Sequence, residues 1–115
     1  MRKAGLTDPA LLKAVSEMMQ GLIEADLGGH VVKKRVALPG RGKRGGARTI
    51  VATRRSDRWF FLFGFSKSER SNIDEDELKL FQEVAGDLLA LVDRQLADAL
   101  VAGEIAEVHD GNRKA

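Results

Sequence analysis

The chain has no cysteine and no tyrosine, and its 115 residues include two histidines, His30 and His109. Without cysteine, disulfide bonds, thiolate nucleophiles and thiolate metal ligands are excluded. A zinc site would have to combine two histidines that are far apart in sequence with carboxylates. We therefore expect neither a metal nor another cofactor, and any chemistry must come from other side chains.

Long apolar segments are also missing. The longest run, WFFLF at residues 59–63, is far too short to span a bilayer. The first three residues, MRK, are not followed by the apolar region of a signal peptide, so we expect a cytoplasmic protein. The length suits one domain with a modest core, over residues 1–115, with a polar, frayed tail at residues 107–115.

Charge is distributed unevenly along the chain. Residues 30–70 carry twelve basic and two acidic side chains, whereas residues 71–115 carry four basic and eleven acidic ones. A middle third this basic creates a positive potential that attracts polyanions, nucleic acid above all. The alternative from charge alone is a solvated basic surface that the acidic C-terminal third neutralises.

The N-terminal third predicts one amphipathic helix. Apolar residues recur at helical spacing over residues 8–26 and form one stripe. Asp8 can accept a hydrogen bond from a free backbone N–H of the first turn, and Gly28-Gly29 can end the helix in the left-handed conformation. We expect the whole segment to be helical and its stripe to lie in the core.

The middle third predicts an antiparallel sheet. Alternating and apolar segments indicate three strands, over residues 31–38, 48–54 and 59–65. Period two puts Lys33 and Arg35 on one face of the first strand and Lys34 on the other. The third strand is apolar on both faces, so we expect it to be central and to form a hairpin with the second.

The C-terminal third predicts two helices. Asp74 and Glu77 resemble a capping box at the start of the first of them. Asp93 can cap a short final helix over residues 94–102, which Gly103 ends. With a helix first, three antiparallel strands next and helices last, the order predicts an α+β domain whose helices pack on one sheet face.

The most informative segment is PGRGKRGGAR at residues 39–48, which we expect to be a loop. Its glycines permit backbone N–H groups to approach a phosphate closely, and its cations supply charge. Four cations belong to it: Arg41, Lys43, Arg44 and Arg48. It is not a P-loop, because no Gly-Lys-Ser/Thr follows at the required spacing. On pattern alone, a flexible basic connection between strands is an equal alternative.

A second basic cluster, Lys67 and Arg70, follows the third strand. In an antiparallel hairpin the end of the third strand lies beside the start of the second, so these residues are expected near Arg48. Lys33 and Arg35 can complete the same surface. The alternative is that these cations pair with a neighbouring glutamate or face solvent.

Lysine and arginine are the only active groups that the pattern offers, because paired carboxylates and a nucleophilic serine are missing. A cationic site suits phosphoryl transfer, in which negative charge builds up on non-bridging oxygens. In RNA the substrate supplies the nucleophile, its 2′-hydroxyl, so positioning provides much of the catalysis.

Three motifs, in this order, resemble the RelE-like toxins of HigB-type toxin–antitoxin modules. They are KKRV at residues 33–36, PGxGKxGGxRT at residues 39–49 and FGFxKxERxNI at residues 63–73, within a resemblance that covers residues 5–106. The resemblance implies a RelE-like microbial RNase fold and a metal-independent mRNA endonuclease, often acting on ribosome-bound message. Attack by the 2′-hydroxyl would leave a cyclic phosphate. It also implies a cytoplasmic antitoxin partner, of the helix-turn-helix type.

The resemblance gives roles to seven basic residues. Arg48 matches the arginine expected to contact the transition-state phosphate, and Lys43 matches a loop lysine of the subfamily. Lys67 and Arg70 match a cluster in which an acid for the leaving 5′-oxygen is expected. The basic first strand of the family, in which a lysine would serve as base, is matched by Lys33, Lys34 and Arg35. We expect these three residues to bind RNA together with Arg41 and Arg44 of the basic loop.

The sequence departs from the family in three respects. Ser68 stands where RelE proper has a catalytic arginine. The chain has no tyrosine that could stack on a base, and Ala47 stands where relatives often have an aromatic residue. Trp59 is the alternative platform for base stacking, although an aromatic residue in a strand more often belongs to the core. Relatives also begin earlier, with a strand. We therefore expect the first strand to be missing and its sheet edge to be uncovered, which favours dimerisation, exchange of elements or poor solubility.

Two other functions remain open. A ParE-like toxin would share the fold but act by binding a protein such as gyrase. A catalytically inactive protein would bind RNA or antitoxin. The ParE-like function does not require Lys43, Arg48 and Lys67 to converge on one phosphate.

Overall fold

A computed structural model of the chain describes residues 7–38, 42–54, 58–66 and 72–103. In that part the chain forms seven elements: α1 Asp8–Met19, β1 Ala25–Gly28, β2 Val31–Leu38, β3 Gly42–Thr53, β4 Trp59–Ser66, α2 Glu75–Leu89 and α3 Asp93–Val101. The strands form one antiparallel sheet in the order β1-β2-β3-β4. The predicted α+β fold is confirmed, with four strands instead of three.

The first helix is shorter than predicted. Thr7, not Asp8, is its N-terminal cap, because the Thr7 side chain accepts a backbone hydrogen bond of 3.4 Å from the first turn. The helix ends at Met19, and Gly21 adopts a φ of +88°, which turns the chain away from the helix axis. The prediction of one helix over residues 8–26 is therefore wrong beyond Met19.

The strand β1 takes the place of the predicted end of that helix. Ala25 lies opposite Lys33 of β2, and Gly28 lies opposite Val31. This strand covers part of the outer edge of β2, up to Lys33. Among the described residues, no strand pairs with that edge beyond Lys33.

Much of the predicted basic loop is a strand. β3 begins at Gly42, which lies opposite Leu38 of β2, so the connection between the two strands is confined to residues 39–41, outside the described residues. Glycine-rich sequence can still form a ladder, since the pairing uses backbone N–H and C=O groups. The expectation of a loop is wrong for residues 42–47, whereas Arg48 lies in a strand as the predicted strand over residues 48–54 required.

Helices cover both faces of the sheet. On the α1 face, the buried residues are Leu11, Ala14, Met18, Val32, Val36, Ala47 and Val51. On the α2 face, they are Val31, Ile50, Ala52, Phe65 and Ala85. The prediction that the helices share one face is wrong. The same arrangement explains β4, which is apolar on both faces although it is an edge strand and not the central one.

The start of α2 follows the sequence closely. The Asp74 carboxylate accepts the Glu77 N–H (2.8 Å) and the Glu77 carboxylate accepts the Asp74 N–H (3.0 Å), which confirms the capping box. The last helix, α3, begins at Asp93 with Val92 as its N-terminal cap, so the predicted cap, Asp93, lies one residue too far along the chain. The Asp93 carboxylate accepts a hydrogen bond of 3.3 Å from Arg58 instead.

Candidate functional site

Four of the nine basic residues selected from the sequence have described side chains: Lys33, Lys34, Arg35 and Arg48. Lys43 and Arg44 lie on β3, where only the backbone is described. Arg41, Lys67 and Arg70 lie outside the described residues, as does Ser68. The candidate site described below therefore consists of residues on β2 and β3 and of the residues that contact them.

Three of the four lie together on the α2 face of the sheet. Arg35 of β2 is directly opposite Arg48 of β3, and Lys33 is two residues along β2, opposite the buried Ile50. Directly opposite residues have Cβ atoms about 4.5–5.5 Å apart. We call Lys33, Arg35 and Arg48 the basic cluster.

The sheet fixes the backbone of Arg48 on both sides. Arg48 lies opposite Arg35 in one ladder and opposite Phe65 of β4 in the other. An interior strand that is paired along both edges holds its side chains in defined positions, which is what a site for a charged ligand needs.

Arg48 is nearly buried and is paired with Glu24. Arg48 is 8% exposed, and its Nε lies 3.2 Å from each carboxylate oxygen of Glu24. Glu24 precedes β1, and its backbone N–H donates to the carbonyl oxygen of Lys33 (2.8 Å). Since β2 separates Glu24 from β3, the Arg48 side chain reaches across β2 to meet the carboxylate. A charge this far from water requires such a partner.

Asn72 joins the cluster from the segment before α2. The Lys33 Nζ makes a long contact of 3.5 Å with the Asn72 side-chain oxygen. The same oxygen accepts the Ile73 N–H at 2.9 Å. Asn72 therefore connects the entrance of α2 to the basic cluster.

Lys34 lies apart from the other three. It occupies the α1 face, as the alternation of β2 predicted, and it is 8% exposed. Its Nζ lies 3.0 Å from a carboxylate oxygen of Glu17 in α1, and the Thr49 hydroxyl donates to its carbonyl oxygen (2.9 Å). The structure does not bring Lys34 to the basic cluster, and its role in RNA binding stays a prediction.

The aromatic platform considered for this site also belongs to the α1 face. Trp59 is partly buried and packs against the core on that face, together with Phe61, and Ala47 is fully buried there. Trp59 is thus a core residue, the alternative that its strand position favoured.

The sequence did not single out Glu24 or Asn72 as site residues. Glu24 fell within the predicted helix over residues 8–26, so nothing connected it with the sheet. Asn72 was visible as part of the third motif, without a role.

The described residues contain no group of three histidine, aspartate or glutamate side chains that could hold a metal ion. None of their helices is long and apolar enough to cross a membrane.

Comparison with known protein families identifies the family of this chain. The family model described as the RelE toxin of the RelE / RelB toxin-antitoxin system matches residues 1–108. No curated protein matches significantly. The match covers almost the whole chain, including every element of the fold, and it does not distinguish the HigB type from other members. The chain belongs to the RelE toxin family of toxin–antitoxin systems.

Proposed function

We propose that this toxin is a metal-independent endoribonuclease that cleaves mRNA, and that the basic cluster binds the phosphate backbone. The observation that carries the proposal is the placement of Arg35 directly opposite Arg48 on one face, with Lys33 beside them. Like charges directly opposite in a sheet are destabilising. An anionic ligand that bridges them would turn this repulsion into binding energy.

The chemistry follows from the charge of these groups. In-line attack of a 2′-hydroxyl on the adjacent phosphorus builds negative charge on the non-bridging oxygens, which a guanidinium stabilises. In the proposal Arg48 contacts those oxygens, while Lys33 and Arg35 bind neighbouring phosphates. Lys43, Lys67 and Arg70 are proposed to complete the catalytic group, with Arg41 and Arg44 as RNA contacts.

The partners and the location are part of the same proposal. A RelE-family toxin has a cognate antitoxin, which we propose to be of the helix-turn-helix type. The message would be cleaved in the cytoplasm, on the ribosome or free, by a toxin of the HigB type. Homodimerisation through an uncovered sheet edge stays a prediction, and sedimentation of the purified chain as a dimer would support it.

Mapped RNA ends test the proposal directly. The purified toxin is incubated with an RNA of known sequence in the presence of EDTA. We expect breaks that carry a 2′,3′-cyclic phosphate and a 5′-hydroxyl, and we expect them to disappear for Arg48→Ala. If expression stops growth while RNA stays intact in cells and in the assay, the endoribonuclease proposal is wrong. A ParE-like or catalytically inactive binding protein is then the better description.

A further inference from the structure

Cleavage by a 2′-hydroxyl requires a group that accepts its proton. Lysine and arginine side chains carry their own proton at neutral pH in water, so they are suited to binding anions and poorly suited to taking up another proton. The basic cluster therefore lacks a suitable acceptor, and the strand lysine that the resemblance suggests as base is poorly suited to that role.

Glu24 is an acceptor at the right place. Its two carboxylate oxygens both lie 3.2 Å from Nε of Arg48, the residue proposed to hold the reacting phosphate. Its side chain is 31% exposed, whereas that of Arg48 is 10% exposed, so Glu24 is the more open member of the pair. The ribose of a nucleotide whose phosphate binds Arg48 would therefore lie close to the Glu24 carboxylate.

Two other acceptors in the described residues, His30 and Glu17, lie away from Arg48. His30 is in the turn before β2, and its carbonyl oxygen accepts the Thr53 N–H. Thr53 is five residues along β3 from Arg48, roughly 16 Å at the rise of a strand. Glu17 lies on the opposite face of the sheet, with Lys34.

We propose that Glu24 accepts the proton of the attacking 2′-hydroxyl. The proposal rests on the function proposed above. The 2′-O–H bond breaks and its proton passes to a Glu24 oxygen, while the 2′-oxygen forms a bond to phosphorus. The bond from phosphorus to the 5′-oxygen breaks with its electron pair, and that oxygen takes a proton from water. The protonated carboxyl then returns its proton to the solvent.

The ion pair gives this step an electrostatic advantage. As Glu24 is protonated, its negative charge disappears and an equal charge develops on the phosphate oxygens. Arg48 contacts the Glu24 carboxylate and is proposed to contact the phosphate oxygens. One guanidinium can therefore stabilise the negative charge both before and after it moves from Glu24 to the phosphate. Such preorganised cations need little rearrangement during the reaction.

A glutamine substitution separates proton acceptance from simple positioning. Glu24→Gln keeps an oxygen that can accept the Arg48 Nε–H, but an amide is not a useful base at neutral pH. Glu17→Gln is the matched control, because Glu17 also pairs with a nearly buried cation, on the other face of the sheet. The single-turnover cleavage rate is measured from pH 3 to pH 9 with saturating protein, a range that includes the ordinary pKa of a carboxylate. Melting temperature and affinity for an RNA with a 2′-deoxy nucleotide at the cleavage position are measured alongside.

We expect Glu24→Gln to fold and bind as the wild type does, and to cleave about 10²- to 10⁴-fold more slowly. The acidic limb of its pH–rate profile should disappear, whereas Glu17→Gln keeps both rate and profile. If Glu24→Gln does not fold, Glu24→Asp is decisive: a slower rate with the acidic limb retained supports the proposal, and loss of that limb overturns it.

The possible failures can be told apart. A Glu24→Gln rate close to wild type overturns the role of Glu24, while the loss of cleavage in Arg48→Ala leaves the proposed function standing. A slow Glu24→Gln that retains the acidic limb also overturns it, because Glu24 then only positions Arg48. If the wild type cuts no RNA, the proposed function fails and this proposal fails with it.

Discussion

Arg35 and Arg48 lie directly opposite each other on the α2 face of the sheet, yet one is exposed and the other is nearly buried against Glu24. This difference suggests separate tasks for two identical side chains. A buried, paired guanidinium is preorganised for one defined phosphate. An exposed one contributes long-range attraction and a more mobile contact.

Removal of Arg48 should affect the cleavage step. We expect Arg48→Ala to lower the single-turnover cleavage rate by about 10²- to 10³-fold, the usual effect of losing one preorganised donor to a developing oxyanion. Arg48→Lys keeps the charge but not the planar fork of the guanidinium, so its cleavage rate should lie between those of the wild type and Arg48→Ala. Arg54→Ala is the control, because Arg54 is an exposed arginine that directly follows the same strand. Equal rates for Arg48→Ala and Arg54→Ala would contradict the assignment.

Arg35 should act on affinity and on its dependence on salt. We expect Arg35→Ala to weaken binding of an uncleavable RNA, with the slope of log affinity against log salt reduced by about 0.7 for one lost phosphate contact to a single strand. The rate at saturation should change little. Lys79→Ala serves as control, since Lys79 is an exposed cation on α2. An unchanged salt slope for Arg35→Ala would show that Arg35 contacts no phosphate.

The fold was predictable where local signals and burial agreed. The bounds of β2, the face of each β2 cation and the capping box at Asp74 all follow from patterns within a few residues. The end of α1 was not predictable in this way. Met19 and Leu22 continue the apolar pattern of the helix, although they are 65% and 54% exposed. An apolar residue at helical spacing does not have to be buried.

The candidate site was predictable only in part, for a related reason. The sequence placed Lys33, Arg35 and Arg48 on one surface because strand alternation and hairpin pairing are local rules. The contact between Glu24 and Arg48 depends on β1, a strand of four residues without a strong sequence signal. Once that strand was predicted as helix, no argument from the sequence could bring the two residues together.

Lys34 should contribute to stability and not to RNA binding. Lys34→Met keeps the apolar stem and removes the nearly buried charge, while Glu17, with a side chain 36% exposed, can be hydrated. We expect the free energy of unfolding to change by less than about 1 kcal/mol, because buried ion pairs are often replaceable by apolar residues. Lys34→Ala also leaves a cavity and should cost about 2–3 kcal/mol. Urea denaturation measures both.

The same two variants test the prediction that Lys34 binds RNA. If Lys34 acts only between α1 and the sheet, the folded Lys34→Met protein should bind RNA with wild-type affinity. A clear loss of affinity in a variant of normal stability would instead support the role taken from the sequence.

The turn between β1 and β2 has three consecutive residues of positive φ: Gly28 at +83°, Gly29 at +59° and His30 at +65°. A Cβ at Gly29 would lie 2.8 Å from Cγ of Gln82 in α2, whereas at Gly28 the nearest atom of Gln82 would be 3.7 Å away. Gln82 donates through Nε2 to the Leu27 carbonyl oxygen at 3.3 Å, so displacing it also breaks a hydrogen bond between α2 and β1.

These contacts predict a difference between two similar glycine substitutions. Gly28→Ala and Gly29→Ala should each cost about 1–2 kcal/mol of unfolding free energy for the left-handed backbone. Gly29→Ala should cost about 1 kcal/mol more, because Gln82 must move and its hydrogen bond is lost. In a Gln82→Ala background that extra cost should vanish, since both the crowded side chain and its hydrogen bond are already absent. Urea denaturation of the five variants measures each step. If the difference between the two glycines persists without the Gln82 side chain, then contact with α2 is not its cause, and the backbone of the turn alone must account for it.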